Sequence, residues 1–246
     1  MGVLLETNDL SVSFSGFKAI EGVNLKIDAG ELRVIIGPNG AGKTTFMDLV
    51  TGKTKPTRGK ILFDGADITG LNPSVIAEKY KIGRKFQGPN VFENMTVYEN
   101  VEIALKGYTS VWKSFCYRRT PEIKARIRQV LESIQLYELR SVLATELSHG
   151  QRQWLEIGMV IAQSPKLIIL DEPTAGMTAE ETRKTGEMIK ALLGEHTVIV
   201  VEHDMDFVKQ VAQKVTVLHQ GMVLAEGTFE EVESNPEVIQ VYLKDA

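Results

Sequence analysis

Lys43, Thr44, Asp171, Glu172 and His203 are the residues whose types and surroundings suit chemistry on a phosphate. Lys43 and Thr44 sit at the end of Gly37-Pro38-Asn39-Gly40-Ala41-Gly42-Lys43-Thr44-Thr45, which satisfies the pattern G-x-x-x-x-G-K-[ST]. Glycines let the backbone curl so that its N–H groups point inward at phosphate oxygens. A helix start adds unpaired N–H groups and the positive end of a dipole. Lys43 would reach the β- and γ-phosphates, and the Thr44 hydroxyl would ligate Mg²⁺. Asp171 and Glu172 are adjacent carboxylates, costly to desolvate without partners, and a Mg²⁺ ion and a reacting water are such partners. Successive strand residues point oppositely, so Asp171 suits the metal and Glu172 the water.

The flanking pattern supplies the elements that would position these groups. Leu32 to Ile36, ahead of the loop, reads as a buried strand. Phe46, Leu49 and Val50 after it have helical spacing, and Gly52 is a stop. Leu167-Ile168-Ile169-Leu170 is an apolar run that suits a strand buried on both faces, stopped by Pro173. Val198 to Glu202 repeats that pattern and ends at His203. Open α/β sheets place ligands at the carboxyl ends of parallel strands, so His203 is expected in the same crevice as Thr44 and Asp171. Ile82 to Phe86 reads as another short strand, ending at Gln87 before Gly88-Pro89-Asn90. An amide there can touch a metal or a water and also move, although such a residue is more often a surface glutamine.

Ahead of the loop, Leu10 to Phe14 and Val23, Leu25 and Ile27 alternate as half-buried strands do, giving a small antiparallel sheet beside the core. Phe14 and Phe17 bracket Ser15-Gly16. One of the two rings can stack on an adenine; the alternative is that both are core aromatics. From Thr96 to about Ala162 the pattern is helical, with Thr96 and Glu99 as a capping box and Thr120 ahead of Pro121. Between Lys106 and Arg128 seven basic residues face one acidic residue, a stretch that suits anionic headgroups or an acidic partner, or simply a solvated face. Leu147-Ser148-His149-Gly150-Gln151 carries a second capping box, Ser148 with Gln151. A helix start with a serine hydroxyl and a close glycine is physically a second phosphate site. It is either only a cap or it meets the nucleotide of a second subunit.

The 246 residues suit one large α/β domain or a core with an appended subdomain. A net charge of −4 gives no global attraction to nucleic acid. Apolar runs such as Val198 to Val201 are too short to span a bilayer. Glu6 and Asp9 near the start argue against a secretory leader, and the single Cys116 excludes an internal disulfide. A cytoplasmic protein is expected.

Together these pieces resemble the ATP-binding cassette family of transport ATPases over nearly the whole chain. The most specific part of the match is Ser148-x-Gly150-Gln151, which separates that family from other phosphate-loop NTPases. The guanine-reading N-K-x-D element is absent, Thr54-Lys55-Pro56-Thr57 being the nearest approach. The resemblance implies a RecA-like P-loop core with an N-terminal antiparallel β part (1–88 and 164–246) and an inserted helical subdomain (89–163). It implies ATP and Mg²⁺, with Asp171, Thr44 and Gln87 at the metal, Glu172 as general base and His203 on the γ-phosphate. Gln87 would also sense the membrane subunit, and Phe14 matches the adenine-stacking aromatic better than Phe17. Two cassettes, alike or different, would meet head to tail, each loop facing the partner's Ser148, Gly150 and Gln151. Permease subunits and, indirectly, a periplasmic or lipid-anchored substrate-binding protein are the implied partners, with the chain on the inner face of the cell membrane.

One departure stands out. The family's S-A-L-D segment reads Ala175-Gly176-Met177-Thr178, so the cross-dimer contacts of its Asp are in doubt. Similar variants mark the branch that the chain most resembles, the ATPases of branched-chain amino acid importers. Within that branch, Gly83 to Gln87, Gln153 to Met159 and Lys214 to His219 look like the urea and short-amide subgroup. A cassette ATPase acting on DNA or ribosomes is the alternative, and a binding module that does not hydrolyse ATP is disfavoured by Glu172 and His203.

Overall fold

The computed structural model describes residues 2–85, 91–106 and 120–244. Two long strands open the chain, β1 (Val3–Phe14) and β2 (Phe17–Asp28), followed by β3 (Leu32–Ile36), α1 (Lys43–Val50), β4 (Arg58–Phe63), β5 (Ala66–Asp67), α2 (Pro73–Lys79) and β6 (Ile82–Lys85). Among the described residues three α-helices come next, α3 (Val97–Lys106), α4 (Pro121–Ser133) and α5 (His149–Ala162). The chain then returns to β7 (Leu167–Asp171), α6 (Ala179–Ala191), β8 (Thr197–Val201), α7 (Met205–Val211), β9 (Lys214–His219), β10 (Met222–Gly227), α8 (Phe229–Glu233) and α9 (Pro236–Lys244).

The strands form two sheets, one of order β2-β1-β4-β5 and one of order β10-β9-β3-β8-β7-β6. The first is antiparallel. In the second, β9, β3, β8, β7 and β6 run parallel and β10 closes an antiparallel edge. Every residue of β3, β7 and β8 is buried, as the continuous apolar runs predict. Alternation decides which way each side chain goes. Leu32, Val34, Ile168, Leu170, Val198 and Val200 join the helices after β6 and the C-terminal helices in one core. Ile35, Leu167, Ile169, Ile199 and Val201 join α1, α2 and the first sheet in the other. This is the mixed α/β arrangement of a RecA-like core.

Arg33 interrupts the apolar run of β3 and is fully buried. It bonds Glu31, Thr216, Glu226 and the Lys26 carbonyl, which satisfies the charge at the end of β3 remote from the phosphate loop. The strand expected over Ile82–Phe86 is Ile82–Lys85 among the described residues. Phe86, Gln87, the Gly88-Pro89-Asn90 loop and most of the basic stretch between 106 and 119 lie outside them.

Candidate nucleotide site

The phosphate loop runs from the carboxyl end of β3 into α1 and is held from two sides. Gly37 lies so close to β9 that a Cβ would come 2.2 Å from the Leu218 carbonyl oxygen. Gly42, the N-cap of α1 with φ 101°, would put a Cβ 2.6 Å from the Ala19 carbonyl oxygen of β2. Gly221 donates its N–H to Ala41 O at 3.0 Å and accepts from Glu21 N at 2.9 Å. The loop is therefore wedged between the β2 strand and the β9–β10 hairpin, and both glycines are required by close backbone approach rather than by flexibility.

Lys43 Nζ donates to Gly37 O at 2.5 Å and Pro38 O at 3.0 Å. Burial holds the Lys43 ammonium below the usual lysine range, and Glu172 and then Asp171 partly offset that shift. The ammonium thus lies inside the loop with both carboxylates in electrostatic reach. Thr44 is exposed in the first turn of α1. Gly40 and Gly42 have positive φ, the backbone conformation from which phosphate-cradling loops are built.

Asp171 ends β7 and is 2% exposed. Its Oδ2 accepts from Arg84 Nη2 at 3.0 Å, while its Oδ1 is buried without a hydrogen-bond partner among the described residues. A buried carboxylate oxygen with no donor fits a hard, oxygen-seeking cation such as Mg²⁺. Glu172 no longer belongs to the strand. Its φ is 47°, and its N–H is donated to Val201 O at 2.9 Å. Glu172 lies outside β7 with a left-handed backbone, so strand alternation does not set its direction; Asp171 meets Arg84 and Glu172 meets His203, while both act on Lys43. His203 Nδ1 lies 3.7 Å from Glu172 Oε1.

Three supporting groups escaped the sequence reading. Glu202 is buried and takes Thr174 N at 3.1 Å, Thr174 Oγ1 at 2.6 Å and His203 N at 3.1 Å. It fixes the segments on either side of Glu172 and His203; a lone glutamate at a strand end gives no sequence signal for that role. Tyr242 of α9 is the second. Burial pushes its phenol up to about 12, and the Gly37 backbone N–H that it meets offsets part of the rise. The third is Arg84, bonded to Asp48 as well as Asp171.

Phe14 and Phe17 face each other at the tip of the β1–β2 hairpin, across Ser15 and Gly16. They are 48% and 67% exposed, so neither is a core aromatic. Both belong to the sheet whose Ala19 abuts the loop. Ser148 caps α5 with the expected capping box: its side chain accepts from Gln151 N, and Gln151 reaches back to Ser148 N at 3.0 Å. Ser148 Oγ is also 3.4 Å from Glu181 Oε1, and Gly150 lets that carboxylate approach, since a Cβ there would lie 2.4 Å from it. Gln87 lies outside the described residues.

The comparisons with known proteins agree with this geometry. The family model described as ABC transporter matches residues 20–175, and one described as branched-chain amino acid ATP-binding cassette transporter matches residues 222–243. The chain is similar to the high-affinity branched-chain amino acid transport ATP-binding protein BraF of Pseudomonas aeruginosa, at 37% identity over 99% of this chain and 98% of that one. Among solved structures it is similar to the ADP conformation of the ATP-binding cassette MJ1267 of an ABC transporter, at 32% identity and TM-score 0.86 over 99% of each chain. It also resembles the dimeric post-hydrolysis state of the cassette MJ0796 bound to ADP and Pi, at 26% identity and TM-score 0.77 over 92% of this chain and 99% of that one.

Proposed function

This chain belongs to the ABC transporter family, and from that premise we propose that it is the ATP-hydrolysing subunit of an importer of the branched-chain amino acid type. The observation that carries the reading is the convergence of the loop lysine, Lys43, with Asp171 and Glu172 at the carboxyl end of one parallel sheet. Loop N–H groups and Lys43 hold the β- and γ-phosphates, and Phe14 stacks on the adenine. Glu172 accepts the proton of the attacking water as the γ-phosphoryl group leaves in line. His203, 3.7 Å from Glu172, contacts the γ-phosphate side of that water, and Glu202 holds its backbone in place. Bound Mg²⁺ supplies charge neutralisation across the phosphates, and Thr44, Asp171 and Gln87 are the residues that would hold it. Ser148, Gly150 and Gln151 serve the ATP of a second cassette.

Among the described residues no helix is long and apolar enough to cross a membrane. On this reading, permease subunits carry the substrate across. The helices within 89–163 form the inserted subdomain that meets them on the inner face of the membrane. A binding protein outside selects the substrate. No residue of this chain reads it, so the relatives' printed substrates do not fix this one. Transport of urea or a short amide is the finer reading. It is supported by Gly83 to Gln87, Gln153 to Met159 and Lys214 to His219, which look like that subgroup. Deleting the gene and measuring uptake of labelled leucine and labelled urea tests both levels. Loss of either flux, restored by the wild-type chain and not by Lys43→Ala, is expected. Unchanged uptake of both would overturn the import reading.

A further inference from the structure

Strand β6 sits at the edge of the parallel sheet, and its last two residues are cations shut away from water. The side chains of Arg84 and Lys85 are 4% and 3% exposed. Neighbours on a strand face opposite sides of the sheet, and each of these finds carboxylates on its own side. Arg84 Nη1 donates to Asp48 Oδ1 of α1 at 2.5 Å, and Nη2 to Asp171 Oδ2 of β7 at 3.0 Å. Lys85 Nζ lies 3.4 Å from Glu156 Oε2 of α5, the helix capped by Ser148. Gly83 brings α5 directly onto the strand, since a Cβ there would lie 2.8 Å from Val160 Cγ1.

Buried ion pairs are weak stabilisers, because desolvation cancels most of their attraction. Well-packed apolar residues would serve folding as well. What the guanidinium adds is geometry: a planar fork bridges two carboxylates in a fixed orientation, which an ammonium cannot do. We infer that Arg84 is a positioning residue for Asp171. It engages Oδ2 and anchors it to the phosphate-loop helix through Asp48, leaving Oδ1 as the oxygen available to the metal. Lys85 fixes the helix of Ser148 to the same four-residue strand. The inference rests on the reading of Asp171 as a metal ligand.

The test is Mg²⁺ titration of the full-length chain with a fluorescent ATP analogue, followed by binding rather than turnover. Loss of an outer partner of a metal ligand costs about 10- to 100-fold in metal affinity. Arg84→Lys, which keeps the charge and loses the fork, should raise the Mg²⁺ needed for half-maximal binding by about that factor. Asp48→Asn should shift it in the same direction by less, and it decides the matter if Arg84→Lys fails to fold. Asp171→Asn is the reference. If it shifts the Mg²⁺ dependence while Arg84→Lys and Asp48→Asn titrate like wild type, Arg84 is only a neutralising charge and the inference is overturned. If Asp171→Asn also titrates like wild type, the metal reading itself falls.

Discussion

Glu172 holds a left-handed backbone conformation, with φ of 47°, that costs a non-glycine residue about 1–3 kcal/mol. The conformation persists because Val201 O takes its N–H and the buried Glu202 carboxylate ties down Thr174 two residues later. That distortion separates the roles of two adjacent carboxylates: Asp171 stays in line with β7 and buried, while Glu172 turns toward His203. Glu172→Gln keeps the shape and cannot accept a proton. Single-turnover hydrolysis should fall about 10²- to 10⁴-fold, while ATP binding, measured by equilibrium dialysis, survives because Lys43 and Asp171 are untouched. Turnover within about threefold of wild type, well short of that range, would show that Glu172 is not the base and shift attention to His203.

At the scale of elements, the legible parts were those with strong local patterns. The buried strands around the site announced themselves as apolar runs, and the boxes at Thr96 and Ser148 as S/T-x-x-E/Q. β1 and β2 are each 12 residues long, more than the alternating stretches suggested, because register shifts around Thr7, Leu10 and Val12 break the period of two. Arg84 was passed over because a cation in a short strand reads as surface until Asp48 and Asp171 are seen on either side of it. Thr178 was noted for the missing aspartate, yet it opens a further capping box: it accepts from Glu181 N, and Glu181 Oε2 takes Thr178 N at 3.0 Å. The N-cap role therefore survives the substitution. Thr178→Ala should lower stability by about 0.5–2 kcal/mol in thermal unfolding, and Thr178→Asp should restore it. The Thr178 backbone N–H above all holds the Glu181 carboxyl below its usual 4.5. A depressed acid contributes stability that is full above the unfolded value and lost as pH falls through the folded one. The gap between wild type and Glu181→Ala, which removes the carboxylate itself, should therefore narrow below pH 4.5, and a gap that is flat across that range would remove Glu181 from the cap.

At the scale of the whole molecule, the chain carries two features built for phosphate and one phosphate loop. The α5 start at Ser148 is capped and exposed, and its hydroxyl lies beside Glu181 rather than beside Lys43. A second copy would resolve this, with the loop of one cassette facing the Ser148 helix of the other, as we propose; the similar cassette MJ0796 has been solved in a dimeric state bound to ADP and Pi. On that proposal nucleotide is the linker. Each chain carries a net charge of −4, so two copies repel weakly at ordinary salt, where screening acts over about 10 Å. ATP would add contacts that exist only in the closed pair, and a ligand shifts an equilibrium by its differential affinity for the two states. Hydrolysis removes that linker, so wild type should pair only transiently. Glu172→Gln, with turnover blocked, should accumulate as a dimer on adding ATP and Mg²⁺. Light scattering should give a monomer without nucleotide, a dimer for Glu172→Gln with ATP, and a monomer again when Lys43→Ala is added to it. If the cell uses two different cassettes, the ATP-dependent species should form only once the second is mixed in. A stable dimer in nucleotide-free buffer would mean that the protein surface alone drives association, and the head-to-tail account of Ser148 would fail with it.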